Sequence, residues 1–417
     1  MQAPVPMGDS DSSNAAGRQP LEMGRSASGP KASREELECR PLESERRSWL
    51  GGAPMRSFDH QLIIRPELGE LKAYAPHAGH FEVRLDANEA PAILSSIAKK
   101  RLGDAAAKTA WHQYPDASQK DLRKAIAKHL GLKTTQILAG VGSDEIITLL
   151  LTVATRLKAK APAPTLLTTT PTFVMYRLSA RIRGQRVMEV PLDADWDLDE
   201  EGMLRAIDMA APNLIFIASP NNPTGTMMSR SRLERVIEAA QQSLVVVDEA
   251  YVNYADSHQL DLLDRYENVA VLRTLSKVGF AALRVGWLVG HPALITELDK
   301  ARLPYNLPTV SQTLATIVLD ELGDEIQTTC SLVLQERSRV ATTLGTMRGV
   351  SVVPSQANFL WLKLETPAGD VFSRLTKKGV LVRSFHGRGG RLEQCLRVTI
   401  GTPEQNNRFL DALRDSI

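Results

Sequence analysis

Apolar runs at residues 166–169, 213–218, 244–247 and 269–274, with a further strand pattern at 186–190, are separated by stretches of helical periodicity. Their apolar residues are consecutive rather than alternate, giving way to Thr168-Thr169 and Arg273-Thr274 only at the ends, so both faces of the strands must be covered. Buried strands joined through helices build an α/β fold, with a mostly parallel sheet sandwiched by helices in a large domain. In such sheets ligands bind at the carboxyl ends of the strands. Asn222, Asp248 and Lys277 fall at those ends.

From about residue 307 the pattern changes. A long helical stretch, 309–343, precedes paired strands within 349–364, a helix at 369–378, strands in GVLVRSF and CLRVTIG, and a last helix from Pro403. That succession predicts a smaller α+β domain. The expected organisation is a disordered N-terminal extension (1–55), an N-terminal arm contributing to the small domain (56–105), a large cofactor-binding domain (106–306) and the small domain (307–417). The extension is rich in Ser, Gly, Pro, Ala and charge and cannot bury enough surface to offset the entropy of ordering; Met55 is an alternative start. Ser118 is expected to cap an amphipathic helix that carries Leu122, Ile126 and Leu130 and stops at Gly131.

With 50 basic and 48 acidic side chains the chain is nearly neutral, which points to no nucleic-acid or membrane partner. No apolar run approaches the roughly 20 residues of a membrane span. Cys39, Cys330 and Cys395 are scattered, and neither they nor the histidines are spaced as metal ligands. The expectation is a reducing, cytoplasmic setting and no metal.

Lys277 follows a buried strand, where an unpaired ammonium is costly. An imine with an aldehyde cofactor would remove the charge and put the nitrogen to use. Ser276 and Arg284 are then donors for a phosphate beside it. Gly140 and Gly142 form a turn feeding a helix that opens with Ser143 and Asp144, and the unpartnered first-turn N–H groups of a helix suit an anion. In SPNNPTG the paired asparagines and prolines aim Asn222 into the strand-end crevice. Asp248 ends the next strand, where burial raises a carboxyl pKa unless a cation such as a protonated pyridine nitrogen stands opposite. Tyr251 is placed to hold a ring oxygen. Each residue has an ordinary structural alternative: Asp248 as a helix cap, Asn222 closing an Asx turn, Tyr251 as a packed ring, Lys277 as a solvated charge. Their occurrence in this order at successive strand ends favours the chemical reading.

The order GSDE, PNNPTG, DEAY and RTLSK, followed by an arginine, resembles the fold-type I, pyridoxal-phosphate-dependent aminotransferases of the class II branch. Within that branch the resemblance is to the histidinol-phosphate aminotransferase subgroup, through LKAYAP, LDANEAP, QYPD, PTFVMYRLSARIRG, VPLDADWDLD, ANFLW, GVLVRSF and CLRVTIGT, from about Phe58 to the end of the chain. The resemblance implies that Lys277 carries pyridoxal 5'-phosphate and shuttles a proton, that Asp248 pairs with the ring nitrogen, and that Asn222 and Tyr251 bond the ring oxygen. It assigns the phosphate to Ser143, Asp144, Ser276 and Arg284, with Tyr114 reaching in from a second subunit of a homodimer. Phe173 takes the place of a ring that stacks on the cofactor, often a tyrosine. Tyr74, Asn88, Arg383 and Arg397 match substrate-binding positions, where guanidinium suits both a phosphate ester and the carboxylate of glutamate.

The activity so implied is transamination between L-histidinol phosphate and 2-oxoglutarate. Aromatic amino-acid aminotransferases and threonine-phosphate decarboxylases share the machinery and stand as alternatives. A non-catalytic regulator would need a DNA-binding module, for which residues 1–54 lack length and helical periodicity.

Overall fold

The computed structural model describes residues 58–71, 77–91, 93–159 and 161–417. The expected extension and Tyr74 lie outside them. In chain order the elements of residues 64–417 are β1 (Val83–Leu85), α1 (Ser96–Ala107), α2 (Lys120–Leu130), β2 (Ile137–Val141), α3 (Gly142–Val153), β3 (Thr165–Thr170), α4 (Val174–Ile182) and β4 (Arg186–Pro191). There follow α5 (Glu200–Ala210), β5 (Leu214–Ala218), α6 (Arg230–Ala239), β6 (Leu244–Asp248), β7 (Val269–Thr274), β8 (Val285–Gly290) and α7 (Pro292–Ala301). The chain closes with α8 (Thr309–Glu321), α9 (Gly323–Gly345), β9 (Val350–Val353), β10 (Phe359–Leu364), α10 (Ala368–Lys377), β11 (Val380–Ser384), β12 (Cys395–Thr399) and α11 (Pro403–Arg414).

Strands β2 to β8 form one seven-stranded sheet in the order β2-β8-β7-β6-β5-β3-β4, parallel except for the pairings of β8. Its strands are apolar on both faces for a packing reason. Leu214 and Phe216 of β5, with Val246 and Leu272, pack in one cluster with Ile146 and Ile147 of α3 and Leu298 of α7. The intervening Ile215 and Ile217, with Val245, Val247 and Val271, pack in another with Met203 of α5 and Leu233 and Val236 of α6. Side chains alternate across a strand, so a sheet covered on both sides reads as unbroken apolar sequence. Each such Leu, Ile or Val contributes about 1.5–3 kcal/mol by leaving water.

The five-stranded sheet runs β1-β11-β12-β10-β9, antiparallel except for β1 beside β11. Leu360, Leu362, Leu396 and Val398 face a core shared with Val333 and Val340 of α9 and Phe409 of α11. Phe359, Trp361 and Arg397 occupy the opposite face and are buried as well, so residues 359–362 again read as unbroken apolar sequence. The long helical stretch beginning at Thr309 is broken at Leu322 into α8 and α9.

One local expectation needs correction. Ser118 does not cap α2: its hydroxyl donates to Asp116 Oδ1 at 2.7 Å, and Asp116 Oδ2 accepts the Lys120 N–H at 2.8 Å. Gln119, left-handed at φ 51°, intervenes, so the carboxylate four residues ahead of the helix start performs the capping. Lys277 follows β7 as expected, closing a one-turn 3-10 helix (Leu275–Lys277) that Thr274 caps by accepting from Ser276 N. Among the described residues no helix is long and apolar enough to cross a membrane.

Candidate active site

The carboxyl edge of the seven-stranded sheet opens on a cavity of about 670 Å³. Ser143, Asp144, Phe173, Asn222, Asp248, Tyr251, Ser276, Lys277 and Arg284 all line it, as do Asn88, Arg383 and Arg397.

Asp248 is the last residue of β6 and is 4 % exposed. Oδ1 accepts the Ala250 N–H at 3.0 Å and Oδ2 accepts the Tyr176 hydroxyl at 2.5 Å. Burial pushes its pKa up to about 6, against the pull of those two donors. Among the described residues no cation pairs with it. Tyr176 is fully buried, stacked on Phe216 at 4.8 Å, and burial beside a carboxylate pushes its phenol well up.

The turn after β5 is fixed from within. Asn221, wholly buried, donates to Pro171 O and Thr224 Oγ1 and accepts from Thr172 Oγ1. With Asn221 so tied, its neighbour Asn222 projects into the cavity, where Nδ2 donates to the Tyr251 hydroxyl at 3.2 Å and Oδ1 accepts from Arg397 Nη1 at 2.5 Å. Asn88, buried and left-handed at φ 56°, donates from Nδ2 to the same hydroxyl at 2.9 Å. Tyr251 thus receives two amide donors and keeps its own proton for a third partner.

Lys277 is partly buried, with Nζ 5.9 Å from the centre of the Tyr251 ring. Among the described residues no carboxylate forms an ion pair with it. Its carbonyl accepts the Tyr254 hydroxyl at 2.6 Å, which fixes the turn from below.

A third group gathers at the start of α3. Arg284, left-handed at φ 53°, lies with Nη1 3.4 Å from Ser276 Oγ and Nη2 3.2 Å from Asp144 Oδ2. Gly142 leaves room for that guanidinium, since a Cβ there would sit 2.7 Å from Arg284 Nη2. Gly286 of β8 passes directly behind the turn, where a Cβ would stand 2.6 Å from Ser143 N. A hydroxyl, a guanidinium and the first amides of a helix converge as an anion cradle.

These features fit a phosphorylated pyridine aldehyde: a cradle for its phosphate, a buried carboxylate without a cation for its ring nitrogen, an amine for its carbonyl carbon, and amide and phenol donors for a ring oxygen. Phe173, at the N-terminus of α4, supplies an apolar wall.

On the facing sheet Arg397 is 8 % exposed and stands opposite Arg383 of β11 and Trp361 of β10, so all three share one face. Its Nη2 donates to Asp86 O at 2.6 Å. Like charges directly opposite are unfavourable in a sheet, and an anion between them reverses the sign. Tyr114 is not brought into the cavity: it is 81 % exposed and stacks on Tyr305 at 4.8 Å. Sequence reasoning missed Tyr176. Its position three residues after Phe173 on one helix face was the available signal.

The family model for aminotransferase class I and II matches residues 82–413. The chain is 37% identical to a histidinol-phosphate aminotransferase of Aquifex aeolicus over 355 residues, 85% of this chain and 98% of that one. It is 38% identical to histidinol-phosphate aminotransferase 1 of Ralstonia nicotianae, over 85% of this chain and 94% of the other. The crystal structure of histidinol-phosphate aminotransferase from Sinorhizobium meliloti, in complex with pyridoxal-5'-phosphate, superposes with a TM-score of 0.76 at 24% identity, covering 87% of this chain and 99% of that one. The match over 82–413, together with relatives 37% and 38% identical over 85% of the chain, establishes that the chain belongs to the aminotransferase class I and II family.

Proposed function

We propose that this enzyme is a pyridoxal-phosphate-dependent aminotransferase of histidine biosynthesis, interconverting L-histidinol phosphate and 2-oxoglutarate with 3-(imidazol-4-yl)-2-oxopropyl phosphate and L-glutamate. The names of its relatives support this substrate pair. The single structural observation that carries it is the opposition of Arg383 and Arg397 across β11 and β12 at the cavity. Two guanidinium groups side by side suit a substrate whose far end is a phosphate ester in one half-reaction and a carboxylate in the other.

Pyridoxal phosphate, when bound, supplies the electron sink that a substrate carbanion needs. The Asp248 carboxylate holds a proton on the ring nitrogen, and its buried setting keeps water from competing for that proton. Lys277 Nζ takes a proton at the substrate α-carbon and returns it on the cofactor side, its turn steadied by Tyr254. Tyr251, with Asn222 and Asn88 donating to its hydroxyl, directs its proton at the ring oxygen. Ser276, Arg284, Ser143 and Asp144 orient the cofactor phosphate, Phe173 covers the ring, and Tyr74 is assigned to the substrate end with Asn88.

A homodimer completes the site in this reading. Tyr114 contributes nothing to its own cavity and is exposed, as a residue serving a neighbouring copy would be. This reading divides the chain into a large domain at 106–306 and a small one from 56–105 with 307–417, which is supported by β2 to β8 falling in the first range and the remaining strands in the second. Partners are small molecules, and the setting is cytoplasmic.

The test is a coupled assay of kcat/KM for L-histidinol phosphate against L-phenylalanine, each with 2-oxoglutarate and added pyridoxal phosphate. A strong preference for the phosphate ester is expected. A preference for phenylalanine moves the enzyme to aromatic amino acids, and release of carbon dioxide in place of glutamate makes it a decarboxylase.

A further inference from the structure

The loop at 385–394, between β11 and β12, is held by contacts that the assigned roles do not use. It carries Gly387, Gly389 and Gly390 at φ 80°, 72° and 53°, a composition that is floppy unless tied down. One tie is internal. The Glu393 carboxylate accepts the Gly387 and Gly389 N–H groups at 3.0 Å and pairs with His386 Nδ1 at 2.7 Å. Those amides hold its pKa below the usual carboxylate range.

The second tie reaches the segment that follows β4. Arg391 donates to the carbonyls of Leu192, Asp193 and Ala194 at 3.2, 2.5 and 2.8 Å. Its guanidinium carbon lies 3.6 Å over the Trp196 ring. Trp196 meets Trp361 edge-on at 6.0 Å, and Trp361 meets Phe385 at 4.7 Å, so the stack returns to the loop it started from. Phe385, Arg388 and Leu392 are the loop's contributions to the cavity wall. Among the described residues the Arg388 guanidinium has no hydrogen-bond or ion-pair partner, although its N–H is fixed by Phe385 O at 3.1 Å.

We propose that Arg388 is a further specificity-determining residue, a guanidinium presented to the anionic phosphate end of the substrate, and that Arg391 is the positioning residue that holds its loop in place. The inference rests on the phosphate-ester reading of the site. A cation on a rigid loop loses little freedom when the anion arrives, whereas the same cation on a glycine loop must be ordered at the moment of binding. Arg391 does not touch substrate. It acts by making the loop's conformation independent of ligand.

The experiment uses the full-length holoenzyme and the single and double variants Arg388→Ala, Arg391→Ala and Arg388→Ala/Arg391→Ala. It reads KM for L-histidinol phosphate, kcat, the dissociation constant of pyridoxal phosphate and the melting temperature. Each single variant is expected to raise KM about tenfold, the loss of one charge-assisted contact, with kcat and cofactor affinity near wild type. The double variant is expected to be no worse than Arg388→Ala alone, because the two act through one contact. Arg391→Lys, which keeps stem and charge but loses the fork and the stack, carries the same expectation if the alanine variant fails to fold. An unchanged KM in either single variant overturns the inference while wild-type turnover of the phosphate ester leaves the function standing. So does multiplication of the two effects, or a fall in cofactor affinity and melting temperature in step with the KM rise, which marks Arg391 as merely structural. Failure of the wild-type enzyme to accept L-histidinol phosphate removes the functional reading and this inference together.

Discussion

The Tyr176 hydroxyl donates to Asp248 Oδ2 across 2.5 Å, with both side chains buried. A buried carboxylate that keeps one strong donor stays closer to ionised than burial alone allows. Replacing Tyr176 with Phe removes that donor and keeps the ring stacked on Phe216. The Asp248 pKa is then expected to climb above its value of about 6. Carboxyl NMR titration of the apoenzyme reads the change directly, and an unshifted Asp248 resonance would remove Tyr176 from the site.

The same carboxyl predicts how apoenzyme stability depends on pH. Its folded pKa of about 6 lies above the ordinary 3.8, so in the window between them the folded state binds more protons than the unfolded chain. Stability therefore falls as pH rises through that window and stays reduced above it. The gap corresponds to up to about 3 kcal/mol. Asp248→Asn apoenzyme should lose this slope and gain stability at neutral pH while losing turnover with cofactor. Denaturation midpoints on either side of the window decide it, and equal slopes for the two proteins count against the linkage.

Much of this was legible in sequence because strands leave a readable trace. Val245, Val246 and Val247 announce a strand covered on both faces, and whatever follows such a strand in an α/β fold meets the ligand edge. Asp248, Asn222 and Lys277 were found that way. What stayed hidden depends on pairings far apart in the chain. Tyr176 lies 72 residues from Asp248, and Arg391 almost 200 from the carbonyls it holds. Ser118 was misread for a local reason: Asp116 offers a second oxygen to the same N–H groups, and a left-handed Gln119 shifts the helix start beyond the serine.

Gly286→Ala is expected to damage the phosphate cradle without touching any charged group. A Cβ there would meet Ser143 N at 2.6 Å and Gly142 C at 2.7 Å, backbone atoms that cannot rotate away. Overpacking of this kind costs about 1–3 kcal/mol and displaces the start of α3. Both a lower melting temperature and weaker cofactor binding should follow. Cofactor affinity equal to wild type would mean that the amides at Gly142 and Ser143 do not meet the phosphate.

Lys277→Ala should abolish the cofactor's covalent attachment, seen as loss of the enzyme-bound absorbance on mild dialysis, and almost all turnover with it. The fold should persist, because Lys277 makes no ion pair among the described residues and its carbonyl bond to Tyr254 does not depend on the side chain. Added alkylamines should restore part of the activity by supplying the missing base. Full turnover without added amine would take the proton-transfer role away from this residue.

Arg397→Lys tests whether the cavity uses the planar fork or only the charge. Arg397 spends one arm on Asn222 Oδ1 at 2.5 Å and another on Asp86 O at 2.6 Å, with its guanidinium carbon 5.4 Å from the centre of the Phe359 ring. An ammonium on a shorter stem reaches one of these at best. Asn222 would lose the donor that orients its amide, and the Tyr251 hydroxyl, which accepts from that amide, would lose a fixed partner in turn. The substitution should therefore raise KM for both L-histidinol phosphate and 2-oxoglutarate, each by about tenfold or more for a lost charge-assisted pair. It should also shift the pH at which the bound cofactor changes colour, because Tyr251 addresses the ring oxygen. A KM rise with no spectral shift would confine Arg397 to the substrate. A spectral shift with unchanged KM values would make it a support for Asn222 and leave Arg383 to meet the anion.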